Sequence, residues 1–174
     1  MITARIVRRK GTTIYCKSRD QKDSIGVEIS DTTKAAKDNP KSYTQAEGRV
    51  ALRFFNSGLA KKDQIWMLLE PWEAFDLYLK IQDAVRAQEK VEFKIIHRYV
   101  RGTEELTTAV IIERWVGQGG KGGFAIKAAR KGGASHNVSM DRAHFLYAAE
   151  LLKSLSTSQA WSDVEMRTEQ QIAA

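Results

Sequence analysis

Residues 49–88, RVALRFFNSGLAKKDQIWMLLEPWEAFDLYLKIQDAVRAQ, decide the fold, because two strands run into a helix there. The segments Arg49–Phe55 and Gln64–Leu69 are rich in apolar and aromatic residues, and the turn-forming sequence Asn56-Ser57-Gly58 lies between them. Glu70-Pro71 then starts a helix, since proline is preset for the first helical position and an acid there suits the positive end of the helix dipole. The stretch predicts two paired strands followed by one helix.

The predicted helix continues to about Gln88. Its apolar residues recur at helical spacing, which predicts that they form the face packed on the core: Trp72, Phe75, Tyr78, Leu79 and Ala84.

The second half of the chain repeats this order. Val91–Val100, Leu106–Val116, Phe124–Arg130 and Ser135–Val138 read as strands, and Gly117–Gly123, with five glycines, as a flexible connection. Ser139 is predicted to cap a helix that reaches at least Thr157, with an end at Arg167 as the longer alternative. One face of that helix carries Phe145, Leu146, Ala149, Leu152 and Leu155.

The first 48 residues are less regular. Ile2–Arg9 and Thr12–Lys17 are expected to form a hairpin, and Ser24–Ser30 a further strand. Asp31–Ser42 ends in Asn39-Pro40 and is expected to be a connecting segment.

Together these elements predict an α+β fold with two ββββα-like units, at about residues 1–88 and 91–158. We expect one domain over residues 1–160 and a polar C-terminal extension over 161–174. Strands linked by hairpins and followed by one helix form antiparallel sheets with the helices packed on one face. The other face of each sheet is then open.

The composition favours a globular, soluble, intracellular protein, either cytoplasmic or associated with the nucleoid. No apolar run is long enough to span a bilayer, and the N-terminus does not resemble a secretory signal. Cys16 is the only cysteine, which excludes an intramolecular disulfide and a multi-cysteine metal site. The net charge of +7 favours polyanionic partners, although a basic protein without such a partner is an equal alternative.

Alternation along the strands assigns cations and aromatic rings to the open faces. In Arg49–Phe55, the core-facing residues alternate with Arg49, Arg53 and Phe55. Cations neutralise phosphates and flat rings stack on unpaired bases, so this combination suits single-stranded nucleic acid. The alternative is an ordinary solvated face. The candidate contact residues are Arg49, Arg53, Phe55, Lys94, Arg98, Arg114, Trp115, Lys121, Phe124, Lys127, Arg130 and Lys131.

Motifs for catalysis, cofactors or metals are weak. Residues 117–122 match G-x-G-x-x-G, but a strand follows where a dinucleotide site needs a helix. His97, His136 and His144 are spread along the chain without the spacing of a metal site. We therefore expect a protein that is not an enzyme and has no cofactor, with a nuclease as the less favoured alternative.

The segment Glu113–Lys127, ERWVGQGGKGGFAIK, followed by Ser135–Ser139 and a helix, resembles a Pur-type repeat. More broadly, the chain is similar to the superfamily of Whirly, Pur and positive-cofactor-four proteins, including the ThermoDBP-like archaeal proteins. The resemblance implies binding of single-stranded DNA or RNA across the sheets, and a homodimer through the helices. It assigns contacts to Lys121, Phe124, Lys127 and Arg130, with Arg49, Arg53 and Phe55 as counterparts.

One alternative belongs to a different functional class. The chain could be a structural or oligomerising subunit of a nucleoprotein complex, with Leu152, Leu155, Trp161 and Val164 forming an apolar stripe for a partner.

Overall fold

The computed structural model describes residues 12–17, 24–35, 46–56, 64–101 and 103–172, and its fold is α+β. The elements in chain order are β1 (Thr12–Lys17), β2 (Ser24–Ala35), β3 (Ala46–Asn56), β4 (Ile65–Leu69), α1 (Pro71–Arg86), β5 (Val91–Arg101), β6 (Glu104–Val116), β7 (Gly122–Arg130), β8 (Ser135–Met140) and α2 (Arg142–Ile172).

The strands form two antiparallel four-stranded meanders, sheet 1 with the order β1-β2-β3-β4 and sheet 2 with the order β5-β6-β7-β8. The predicted arrangement of two strands-then-helix units is therefore confirmed. One boundary is wrong, because the predicted connecting segment Asp31–Ser42 begins as part of β2. Ala35 still pairs with Ala46 of β3, so the ladder outweighs the weak strand propensity of residues 31–35. The segment Ile2–Arg9 lies outside the described residues.

The two helices begin differently from each other. Pro71 is the first residue of α1, as predicted, and the Glu70 N–H donates to the Glu73 carboxylate at 2.8 Å. Ser139 is not the cap of α2, because it is held in β8 opposite Ala125. Asp141 takes this role, and its Oδ1 accepts a hydrogen bond from the His144 N–H at 2.8 Å.

The inner faces of both sheets and one side of each helix enclose a single apolar core. The predicted buried side of α1 is wrong at three of its five residues, because Trp72, Phe75 and Leu79 are exposed. Ala84 is buried and Tyr78 is partly buried, as predicted, and the buried side also contains Ala74, Leu77 and Ile81. Both sets recur at helical spacing, so periodicity could not choose between them. For α2 the prediction is confirmed at its centre, where Phe145, Ala149 and Leu152 are buried.

The helices interlock the two units. The longer helix, α2, follows sheet 2 in the chain, but among the strands it packs mainly against β2 and β3 of sheet 1. The shorter helix, α1, packs on α2 and contacts strands of both sheets. At one crossing, α2 lies so close to β3 that a Cβ on Gly48 would come within 2.5 Å of the Gln159 carbonyl oxygen. Each unit therefore completes the core of the other.

A chain of buried polar groups also joins the sheets. Arg49 of β3 pairs with Glu70 at 2.8 Å, the Glu70 N–H bonds to Glu73, and the other Glu73 oxygen contacts His97 Nδ1 of β5 at 3.0 Å. Burial is the largest single influence on the Glu73 carboxyl and raises its pKa. The hydrogen bonds from His97 and the Glu70 N–H, with the charges of His97 and Arg49, outweigh burial, so the pKa is lowered overall.

Candidate nucleic-acid interface

The outer face of sheet 1, turned away from the core, is aromatic. We define it by its described side chains: Glu28, Ser30, Ala51, Arg53, Phe55, Trp66 and Leu68. On β4, Ile65, Met67 and Leu69 are buried, while Trp66 points outward and is 58% exposed. A tryptophan this exposed on a flat sheet leaves a large apolar ring in water, which is typical of a binding surface.

Arg53 lies at the centre of this face. The register places it between Glu28 of β2 and Trp66 of β4. Its guanidinium pairs with Glu28 at 3.4 Å and lies 5.5 Å from the centroid of the Phe55 ring. The arginine is therefore held between an acid and aromatic rings.

The outer face of sheet 2 is more polar. Its side chains are Glu92, Lys94, Ile96, Arg98 and Val100 from β5, Glu105, Thr107, Ala109, Ile111, Glu113 and Trp115 from β6, Gly123, Ala125, Lys127 and Ala129 from β7, and Ser135, Asn137 and Ser139 from β8. The acids stand near the two ends. The middle rows contain Lys94, Arg98 and Lys127 and no acid, so this part of the face carries positive charge.

Lys127 differs from the other two cations because an acid holds it. It forms an ion pair with Glu113, whose other carboxylate oxygen lies 4.0 Å from Lys90 Nζ. Glu113 is only 7% exposed, so the pair fixes the lysine in position at the cost of part of its charge. Lys94 and Arg98 are exposed and make no ion pair within the described residues.

Trp115 lies flat on the same face. Its indole ring covers Gly123, where an added Cβ would come within 2.7 Å of the ring. Only glycine permits this approach, so Gly123 sets the orientation of the indole. The ring stays partly exposed, and Arg114, the preceding residue, points to the other face of the sheet.

Four predicted contact residues do not lie on the outer faces. Arg49 is 5% exposed and belongs to the buried polar chain, because α1 begins beside it. Phe124 is buried and stacks on Phe145 at 4.7 Å. Arg114 covers the Phe124 ring at 5.8 Å, on the inner side. Arg130 lies opposite Thr108 on that same side. Alternation alone places Phe124 and Arg130 opposite Lys127.

Two further predicted residues lie in exposed hairpin connections. Lys121 follows a short 3-10 turn between β6 and β7, in which Gly119 adopts the left-handed conformation with φ of 72°. Lys131 occupies the turn between β7 and β8, where Gly132 has φ of 70°. The structure thus brings Lys94, Arg98, Trp115 and Lys127 together on one face and Arg53 and Phe55 on another, with both hairpin lysines outside them.

Trp66 is absent from the predicted contact residues, although a signal for it existed. In Gln64–Leu69, Ile65, Met67 and Leu69 share one face of the strand and Trp66 has the other. The same alternation that selected Arg53 would have selected it. Because the whole segment is apolar, the residue composition concealed which face was open.

No protein-family model matches the sequence, and no curated protein or solved structure does. The described helices include none that is long and apolar enough to cross a membrane. Within the described residues, no three His, Cys, Asp or Glu side chains converge as a metal site requires.

Proposed function

We propose that the protein binds single-stranded nucleic acid, without catalysis, across the outer faces of its two sheets, and that it acts in replication, repair or transcription. The observation that carries the proposal is that each outer face carries a solvent-accessible tryptophan together with cations: Trp66 lies beside Arg53, and Trp115 lies on the same face as Lys94, Arg98 and Lys127. An intracellular location, cytoplasmic or at the nucleoid, is part of the same proposal.

A single strand fits these faces better than a duplex does. Unpaired bases can stack on the exposed rings, and each stacked base contributes about 1–3 kcal/mol. A duplex hides its bases, and its major groove suits a protruding helix. Both helices here pack against the core along one side, and the exposed side of α1 is apolar. The resemblance to the Whirly, Pur and positive-cofactor-four proteins favours DNA over RNA.

The homodimer through the helices is a second part of the proposal. Trp72, Phe75 and Leu79 form an exposed apolar stripe along α1, and burying it would remove two aromatic rings from water. The same stripe would equally serve a subunit of a larger nucleoprotein complex. Sedimentation of the purified chain separates the two, because only a homodimer forms without another protein.

Fluorescence titration tests nucleic-acid binding directly. Oligo-dT, oligo-U and a duplex of equal length are titrated at several salt concentrations, with tryptophan emission as the signal. We expect quenching by single strands, tightest for dT, with affinity that falls as salt rises. Equal affinity for the duplex would contradict base stacking, and no binding at low salt would refute the proposal.

A further inference from the structure

The two edges of sheet 2 differ in how well they are sealed. At the β8 edge, the inner-face residues His136, Val138 and Met140 are all buried. The outward residues of β8 are two serines and an asparagine, which water solvates. An edge of this kind needs no further cover.

The β5 edge is less well covered, as the exposure of its side chains on both faces indicates. Apart from the buried His97, its inner-face residues Val91, Phe93, Ile95 and Tyr99 are only partly buried, although Ile112 and Val110, which lie opposite Phe93 and Ile95 on β6, are fully buried. On the outer side, Ile96 and Val100 are 43% and 59% exposed. The strand is 11 residues long, and among the described residues nothing pairs with its other side. A long edge strand with apolar residues on both faces is a template for another strand.

We propose that β5 pairs with β5 of a second copy of this chain, antiparallel, about a twofold axis at Ile95. This contact is separate from the helix-mediated homodimer proposed above, and it does not depend on nucleic-acid binding. Antiparallel pairing would join two four-stranded sheets into one sheet of eight strands, as in strand addition at other exposed sheet edges. Val91 and Phe93 would then be covered by Tyr99 and His97 of the second copy.

The charges along β5 select both the partner and the register. With the axis at Ile95, Glu92 faces Arg98 of the second copy, and the symmetry forms this pair twice. An axis at Ile96 would place Lys94 opposite Arg98, and an axis at Lys94 would place that lysine opposite itself. Within its own sheet Glu92 lies opposite another acid, Glu113. An arginine from a second copy would offset the repulsion between these two acids.

Charge exchange between Glu92 and Arg98 tests the pairing by sedimentation in the absence of nucleic acid. Glu92→Arg and Arg98→Glu each place like charges opposite one another, and each should weaken association about tenfold or more. The double variant E92R/R98E restores opposite charges and should restore the wild-type association. Should the two single variants sediment like the wild type, or the double variant fail to recover, the pairing is refuted.

Disulfide trapping tests the register. In a Cys16→Ser background, Ile95→Cys should give an intermolecular disulfide, because directly opposed residues have Cα atoms about 4.5–5.5 Å apart. The control Ile96→Cys should not, since its two copies lie offset and beyond the ~7 Å that a disulfide spans. Cross-linking of both variants to the same extent, or of neither, would overturn the axis at Ile95. Loss of association in a Trp72→Ala variant, with both β5 charge reversals silent, would assign the interface to α1 instead.

Discussion

The outer faces of the two sheets are built on the same four-stranded meander, yet they carry different side chains. Sheet 1 presents Trp66 and Phe55 around an arginine that pairs with Glu28. Sheet 2 presents Lys94 and Arg98 without an acid in their rows. One backbone arrangement, used twice, therefore carries a mainly aromatic surface on one sheet and a more basic surface on the other.

The largest expected effect is a difference in stability between substitutions at two neighbouring residues of β3, one on each face of sheet 1. Phe54 is fully buried, so Phe54→Ala should lower the free energy of unfolding by about 3–5 kcal/mol. Phe55 lies on the outer face, and Phe55→Ala should cost less than about 1 kcal/mol of stability. The F55A variant should instead weaken binding of oligo-dT. Urea denaturation and oligonucleotide titration of both variants measure this contrast, and equal destabilisation would contradict the assignment of faces.

The next effect concerns base stacking on sheet 1. Trp66→Ala should weaken oligo-dT binding by about 1–3 kcal/mol, the contribution of one stacked base, and leave the salt dependence unchanged. Trp72→Ala is the matched control, because it removes an equally exposed tryptophan from α1, and a short oligonucleotide should bind it normally. If W66A and W72A bind alike, the sheet-1 face does not stack bases.

A smaller effect tests the ionic character of sheet 2. Lys94→Ala should reduce the slope of log affinity against log salt by about 0.7, the value for one phosphate contact with a single strand. Lys80→Ala on α1 removes the same charge away from both faces, where Lys80 pairs with Asp76. Its slope should match that of the wild type. Titrations over a range of salt concentrations supply the slopes, and a change in K80A as large as in K94A would indicate a nonspecific effect of net charge.

The smallest effect concerns the polar chain that links the sheets. Since the pKa of Glu73 is lower in the folded protein than its ordinary value of 4.5, its carboxylate stabilises the fold above that pH. The contribution is lost as the pH falls through the folded pKa. Glu73→Gln should therefore be less stable than the wild type near pH 7, and the difference should shrink below about pH 4.5. Denaturation curves from pH 3 to 7 measure this, and a difference independent of pH would exclude an ionic role.

The sequence predicted correctly those features that depend on residues close together in the chain. The strand alternation in residues 50–55 and the Glu70-Pro71 helix start depend on neighbours in the chain, and both agree with the structure. The prediction was wrong where two apolar patterns in one helix had equally good helical spacing. Trp72, Phe75 and Leu79 have the same spacing as Ala74, Leu77 and Ile81, and only the neighbouring sheet and α2 decide which set is covered.

The candidate site shows the same division. Arg53, Phe55 and Lys127 followed from alternation, because successive residues of a strand face opposite sides. The burial of Arg49 did not follow, since it depends on Glu70 and on the α1 start lying beside it. The edge position of β5 among the described strands was equally hidden, because the sequence does not state which strands have only one neighbour.

The amino-acid sequence by itself determined the order of strands and helices, the repeat of that order, and which residues of Arg49–Phe55 face the core. These properties follow from the two-residue period of strands and from turn and helix-start residues, all of which act over a few positions. The tertiary structure decided which helix covers which sheet, which helix face stays exposed, and which cations are already paired. Those outcomes depend on contacts between residues far apart in the chain, such as Gly48 with Gln159 and Glu73 with His97.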